Sequence, residues 1–176
     1  PNSVTVVGKW EMETQDAYYA SWFATPDVTT DQSLKLQAGH DYAAYKNNKP
    51  FIVDGVFYVQ ANQEYLSIAN NAFIVRDYSK ITFLPNAKFI QINQNKNHSN
   101  IVLLMRTKGA TLIRPTLVGD RLTNTFLAPS SDAQGYGYGL TLYEPEDCFI
   151  FEPNCSQNHG DNIYIGKPWG SNVASL

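Results

Sequence analysis

"IVLLMRTKGATLIRPTLVGD", residues 101–120, lies without a gap over "GLTLYEPEDCFIFEPNCSQN", residues 139–158, when the chain is slid against itself by 38 positions. Pro115 falls on Pro153, Ala110 on Cys148, Leu112 on Ile150 and Leu117 on Cys155, so the positions that would point inward stay small or apolar in both copies. With a one-residue gap the same frame accepts "KITFLPNAKF", residues 80–89, where Pro85 takes the place of the repeated proline. Three copies predict a solenoid. One turn of such a coil cannot bury its inner face alone, whereas stacked turns pair their backbones and build a continuous apolar column.

The texture around these copies agrees. From Phe51 onward the chain runs through "FIVDGVFYV", "EYLSI", "AFIV", "KFIQI", "CFIF" and "NIYI", short runs rich in β-branched and aromatic residues and separated by Asn, Asp, Gly, Pro or Lys. No convincing amphipathic helix follows any of them. The expectation is an all-β chain of about five turns, with residues 51–176 forming the coils and residues 1–50 a divergent lead-in and cap. Within that cap "DAYYASWFA", residues 16–24, is apolar on more than one face and precedes Pro26, which predicts two helical turns. Its Tyr18, Tyr19 and Trp22 form an aromatic plug over the core or, in the alternative, a sugar site. Extra residues between copies, 93–100 and 122–138, are expected as loops, and insertions in solenoids collect on the binding face.

Composition narrows the partners. The chain of 176 residues is 43% hydrophobic, 13% aromatic and only 16% charged, so its surface is built from neutral polar groups and rings, which suits a ligand with many hydroxyls. A net charge of −3 without any run of Lys or Arg removes the electrostatic attraction on which nucleic-acid binding depends. No stretch approaches the length of a membrane span, and the first residues lack the basic start and apolar run of a secretory signal. Cys148 and Cys155 are seven apart with no histidine at ligand spacing, which predicts buried free thiols and no metal site; no cofactor motif is present either.

The runs "IRPTLVGDR" (residues 113–121), "GYGYGLTLY" (135–143) and "FEPNCSQNHGDNIYIG" (151–166), with the lead-in "LKLQAGHDY" (34–42), resemble right-handed parallel β-helix proteins of the pectate-lyase-like class. The similarity is greatest to phage tail spikes that bind and degrade bacterial capsular or other surface polysaccharide, and it covers residues 34–166. Where such spikes often carry a Glu ahead of an aromatic residue, this chain has Gly135 before Tyr136. The resemblance implies a truncated coil, a homotrimer, a place in the virion tail outside the host cell, and an open final turn covered by the rest of the polypeptide or by another chain.

Glycoside hydrolysis needs two carboxyl groups about 5 to 9.5 Å apart, one protonating the leaving oxygen and one acting as base or nucleophile. Asp120 and Asp161 both follow proline-marked strands of successive turns, which could bring them to one groove and makes them the candidate acid/base pair. In the alternative, each is a turn aspartate bonded to its own backbone. Arg121 and His159 flank the two acids as candidate positioning groups; in a lyase the arginine would instead neutralise a uronate carboxylate while His159 or Tyr164 took the proton. Tyr136 and Tyr138, interleaved with glycines, and Tyr164 and Trp169 are the candidate sugar-stacking rings. The paired acids favour a hydrolase over a lyase. A non-catalytic glycan-binding module and a purely structural coil are the competing expectations.

Overall fold

The computed structural model describes residues 15–93, 98–124 and 136–167. The protein is β-rich, and its strands collect into three mainly parallel sheets. The first contains β1 (Tyr18–Tyr19), β2 (Phe51–Val53), β6 (Lys80–Phe83), β9 (Thr111–Ile113) and β12 (Phe149–Phe151). Next comes a sheet of β3 (Val56–Val59), β7 (Lys88–Gln91), β10 (Thr116–Val118) and β13 (Asn154–Ser156). The third holds β4 (Gln63–Tyr65), β5 (Ile68–Ile74), β8 (His98–Met105), β11 (Tyr136–Tyr143) and β14 (Ile163–Gly166). From β2 onward each round of the chain adds one parallel strand to each sheet in the same order; β4 alone pairs antiparallel, as a hairpin with β5. Four rounds lie among the described residues, one fewer than the repeats suggested.

Register and burial explain why these segments are strands. Alternate residues point inward, and the inward ones align across strands: Phe51, Ile81, Leu112 and Ile150 in the first sheet, Phe57, Phe89, Leu117 and Cys155 in the second. A third column runs through Phe73, Val102 and Leu140. The pairings Leu112 with Ile150, Leu117 with Cys155 and Leu140 with Val102 are those of the 38-residue offset. Between strands the corners reverse through left-handed residues at the same spacing: Arg106 and Glu144, Gly109 and Asp147, Arg114 and Glu152 all have positive φ. Large rings fill the core at its first end, where Phe89 lies 5.0 Å from Phe83, 5.4 Å from Phe73 and 6.4 Å from Phe57 between ring centroids. Both cysteines are free and half-buried against this core, and burial pushes the Cys155 thiol up to about 11.

The first edges of the sheets are covered by residues preceding β2, joined in the third sheet by β4, which pairs along part of β5. Strand β1 pairs with β2; Asp27 and Gln32 donate N–H groups to the carbonyls of Val56 and Tyr58 on β3; helix α1 (Ser33–Tyr45) covers the third sheet. There the Gln37 side chain acts as a substitute strand, accepting the Ile74 N–H at 2.8 Å and donating to its carbonyl at 3.0 Å. Next along the helix, Nε2 of buried His40 accepts the Arg76 N–H, and the Arg76 guanidinium meets both oxygens of Asp41. The two helical turns expected around residues 16–24 are instead the short strand β1 and a single 3-10 turn (Ala20–Trp22), because the Tyr18 backbone is drawn into the first sheet. Tyr18 is fully buried, edge-on to Trp22 and Tyr42, as an aromatic plug. No helix among the described residues is long and apolar enough to cross a membrane.

Two loop expectations need shortening. His98 to Asn100 and Tyr136 to Tyr138 are strand, paired residue for residue at the 38-residue offset, so the repeat reaches further back than its sequence similarity does. The backbone ladder continues where "HSN" and "YGY" share no residue type.

Candidate functional site

The second sheet ends at Val118, and Gly119, Asp120 and Arg121 carry the chain around its edge. The Asp120 carbonyl accepts the N–H groups of Thr123 and Asn124, closing a turn that turns the carboxylate inward; only 1% of the Asp120 side chain is exposed. Burial of a carboxylate requires partners. Asn124 Nδ2 donates to Oδ2 at 3.2 Å, and His159 Nε2 stands 2.8 Å from Oδ1.

His159 arrives there because the loop after β13 lies flat on three glycines. A Cβ at Gly119 would sit 2.4 Å from the Gln157 carbonyl oxygen, one at Gly139 would sit 2.7 Å from that of Asn162, and one at Gly137 would touch the His159 ring at 3.1 Å. Asn158, buried at the repeat position of Asp120, ties the loop together by donating to the Ser156 carbonyl and to Asn162 Oδ1. Within "GYGYG", Gly137 and Gly139 let the protein's own loop approach the strand closely.

The Nε2–H tautomer of His159 donates to the Asp120 carboxylate and leaves the ring's lone pair on Nδ1. Nδ1 has no hydrogen-bond partner among the described residues, and 16% of the His159 side chain is exposed. A carboxylate that fixes the tautomer and offsets the charge of an imidazolium is the arrangement that makes histidine a proton acceptor.

Asp120 also lines a cleft of about 360 Å³ on the outer face of the second sheet. Tyr58, Ile90 and Val118 form its floor, each the outward neighbour of a buried core residue. Thr29, Asn93, Thr123 and Gln157 stand around it, and the Asn93 side chain closes one wall by donating to the Thr123 carbonyl. An apolar floor with a few polar groups is the usual lining of a small-ligand site. Sequence reasoning missed this floor, although the signal was present: the outward residues of "FIVDGVFYV", "KFIQI" and "PTLV" fall in register once the repeat is extended backward.

The other candidates are scattered. Asp161 is exposed, and no contact joins it to Asp120 among the described residues; its carbonyl accepts the Gly139 N–H. Arg121 is exposed and donates its backbone N–H to Gln157. Tyr138 is only 2% exposed and stacks on Tyr164 at 4.7 Å, so its ring is not offered to a sugar; half-buried Tyr164 spends one face on it and meets Tyr143 edge-on. Burial in that aromatic cluster raises the Tyr143 phenol above its ordinary value. The Tyr136 backbone pairs with His98, while its side chain, like all of Trp169, lies outside the described residues. No group of three His, Cys, Asp or Glu placed to hold a metal occurs among the described residues.

No family model, no curated protein and no solved structure matches the chain.

Proposed function

We propose that the protein is a right-handed parallel β-helix of a phage tail spike, and that it recognises and degrades a bacterial capsular or other surface polysaccharide. Support for the coil comes from the fixed strand order of the three sheets and from the inward columns that run across them. The observation that carries the activity is the buried Asp120–His159 pair at the edge of an apolar-floored cleft. In this mechanism His159 takes a proton from the attacking water, Asp120 balances the imidazolium, and the imidazolium returns the proton to the leaving oxygen as the glycosidic bond breaks. Arg121 remains the positioning group beside Asp120. The same proposal puts the protein in the virion tail as a homotrimer, with exposed Phe149, Phe151 and Ile165 on the surface that a neighbouring chain covers.

One observation favours a second, non-catalytic reading: a carboxylate with 1% exposure, satisfied by Asn124 and His159, is also how a purely structural turn aspartate is held. The test is incubation with purified capsular polysaccharides, following polymer size, new reducing ends and unsaturated uronates. The hydrolase reading expects shortened chains with reducing ends alone, and a loss of a hundredfold or more in His159→Gln and Asp120→Asn. Unsaturated ends would make the protein a lyase. Full activity in both variants, or binding with no shortening, would end the catalytic reading.

A further inference from the structure

The outer side chains of the second sheet fall into rows that run across its strands. Register sets Tyr58 beside Ile90 and Ile90 beside Val118, and these half-buried residues floor the cleft. Neighbouring strands are about 4.8 Å apart, so the floor offers apolar contact at a repeat close to one pyranose unit of an extended chain. Hydroxyl and amide groups at Thr29, Asn93, Thr123 and Gln157 can both donate to and accept from sugar hydroxyls.

Charge decides what kind of sugar. Among the described residues lining the cleft Asp120 alone is charged, with no Lys or Arg beside it. A uronate carboxylate seated there would lose water with no cation opposite it and with a buried carboxylate nearby, a cost that nothing in the lining offsets. Lys88 lies apart from this lining: two residues along the strands, the row of Lys88, Thr116 and Asn154 lines a separate polar hollow of about 310 Å³.

We propose that the cleft takes an uncharged glycan segment, laid across the strands along the Tyr58–Ile90–Val118 row. This deepens the polysaccharide reading and rests on it.

The test is electrophoresis of the purified protein in native gels containing capsular polysaccharides with either uncharged or uronate-bearing repeat units. Retardation by an uncharged polymer is expected, with the dissociation constant raised tenfold or more in both Tyr58→Ala and Val118→Arg and unchanged in Lys88→Gln. Tyr58→Ala only trims a surface ring, so it carries the test should the arginine variant fold poorly. Retardation by uronate polymers alone, binding of an uncharged polymer that neither floor variant weakens, or no retardation at all would overturn the proposal. Binding through the floor without any shortening leaves this inference standing and removes the catalytic one; shortening that is indifferent to the floor variants does the reverse.

Discussion

Acidification should weaken the cap that closes the first end of the sheets, and His40 is the group through which it acts. The ring is 1% exposed, packed between Phe51 and Phe73 at 5.7 and 5.0 Å, with Nε2 accepting the Arg76 N–H and facing Ser79 Oγ. Burial pushes its pKa down from 6.5 to about 4; the Asp41 carboxylate pulls the other way, and the Arg76 charge adds to the lowering. Because the folded value lies below the unfolded one, the unfolded chain takes the proton first. Stability is therefore full above about pH 6.5 and falls as the pH drops toward about 4. At 1.36 kcal/mol per pH unit the whole shift is worth about 3 kcal/mol, of which about 2.5 kcal/mol is lost between about pH 7 and pH 4.5. Asp41 does not confuse this window. Its own burial would raise its pKa, but the Arg76 and Gln37 hydrogen bonds hold it below 3.8, so its contribution is lost only below that value. His98, also lowered by burial, works in the same direction as His40 and must be subtracted. His40→Gln does so, since it keeps an acceptor near the Arg76 N–H and cannot titrate. Urea unfolding at the two pH values should show wild type losing about 2.5 kcal/mol more than His40→Gln. Equal losses in the two proteins would refute the argument, as would an NMR titration of the His40 ring near its ordinary value.

Two further outcomes follow from packing. Phe89→Ala removes the ring shared by Phe57, Phe73 and Phe83 and should cost about 3–5 kcal/mol in chemical denaturation, the range for an aromatic lost from a core that cannot collapse around the gap. Gly119→Ala puts a methyl group 2.4 Å from the backbone oxygen of Gln157, so the loop must move; about 1–3 kcal/mol of stability should be lost, and the His159 ring resonances should move in the NMR spectrum as its Asp120 contact opens, an outcome that a mere cavity elsewhere would not produce.

What was legible in the sequence is what depends on the inner face. Leu112 over Ile150, Leu117 over Cys155 and Pro115 over Pro153 mark the repeat because each inward position must fill the same column, and the chain can change only among small or apolar residues there. Positions outside the column carry no such constraint. His98 and Tyr136 occupy equivalent places in the ladder, yet backbone pairing alone is indifferent to side-chain type, so the similarity fades before the strand does. The cap was harder still, because Gln37 covers a sheet edge with a side-chain amide, and no periodicity signals that.

The candidate site shows the same division. Asp120, His159 and the surrounding glycines were visible as residue types, but their roles depended on how one loop bends. Asp120 corresponds by repeat to Asn158, so a strict frame predicts that each follows its strand at the same point; it cannot predict that the chain after Asn158 folds back. Three glycines permit that fold, each accepting contact on the face where a side chain would stand. Once the loop lies down, His159 is delivered to the carboxylate one round earlier while Asp161 is left at the exposed end. An acid and an imidazole from successive rounds thus meet through a bend that neither sequence copy encodes alone, and the carboxylate pair expected from spacing gives way to a carboxylate–imidazole pair.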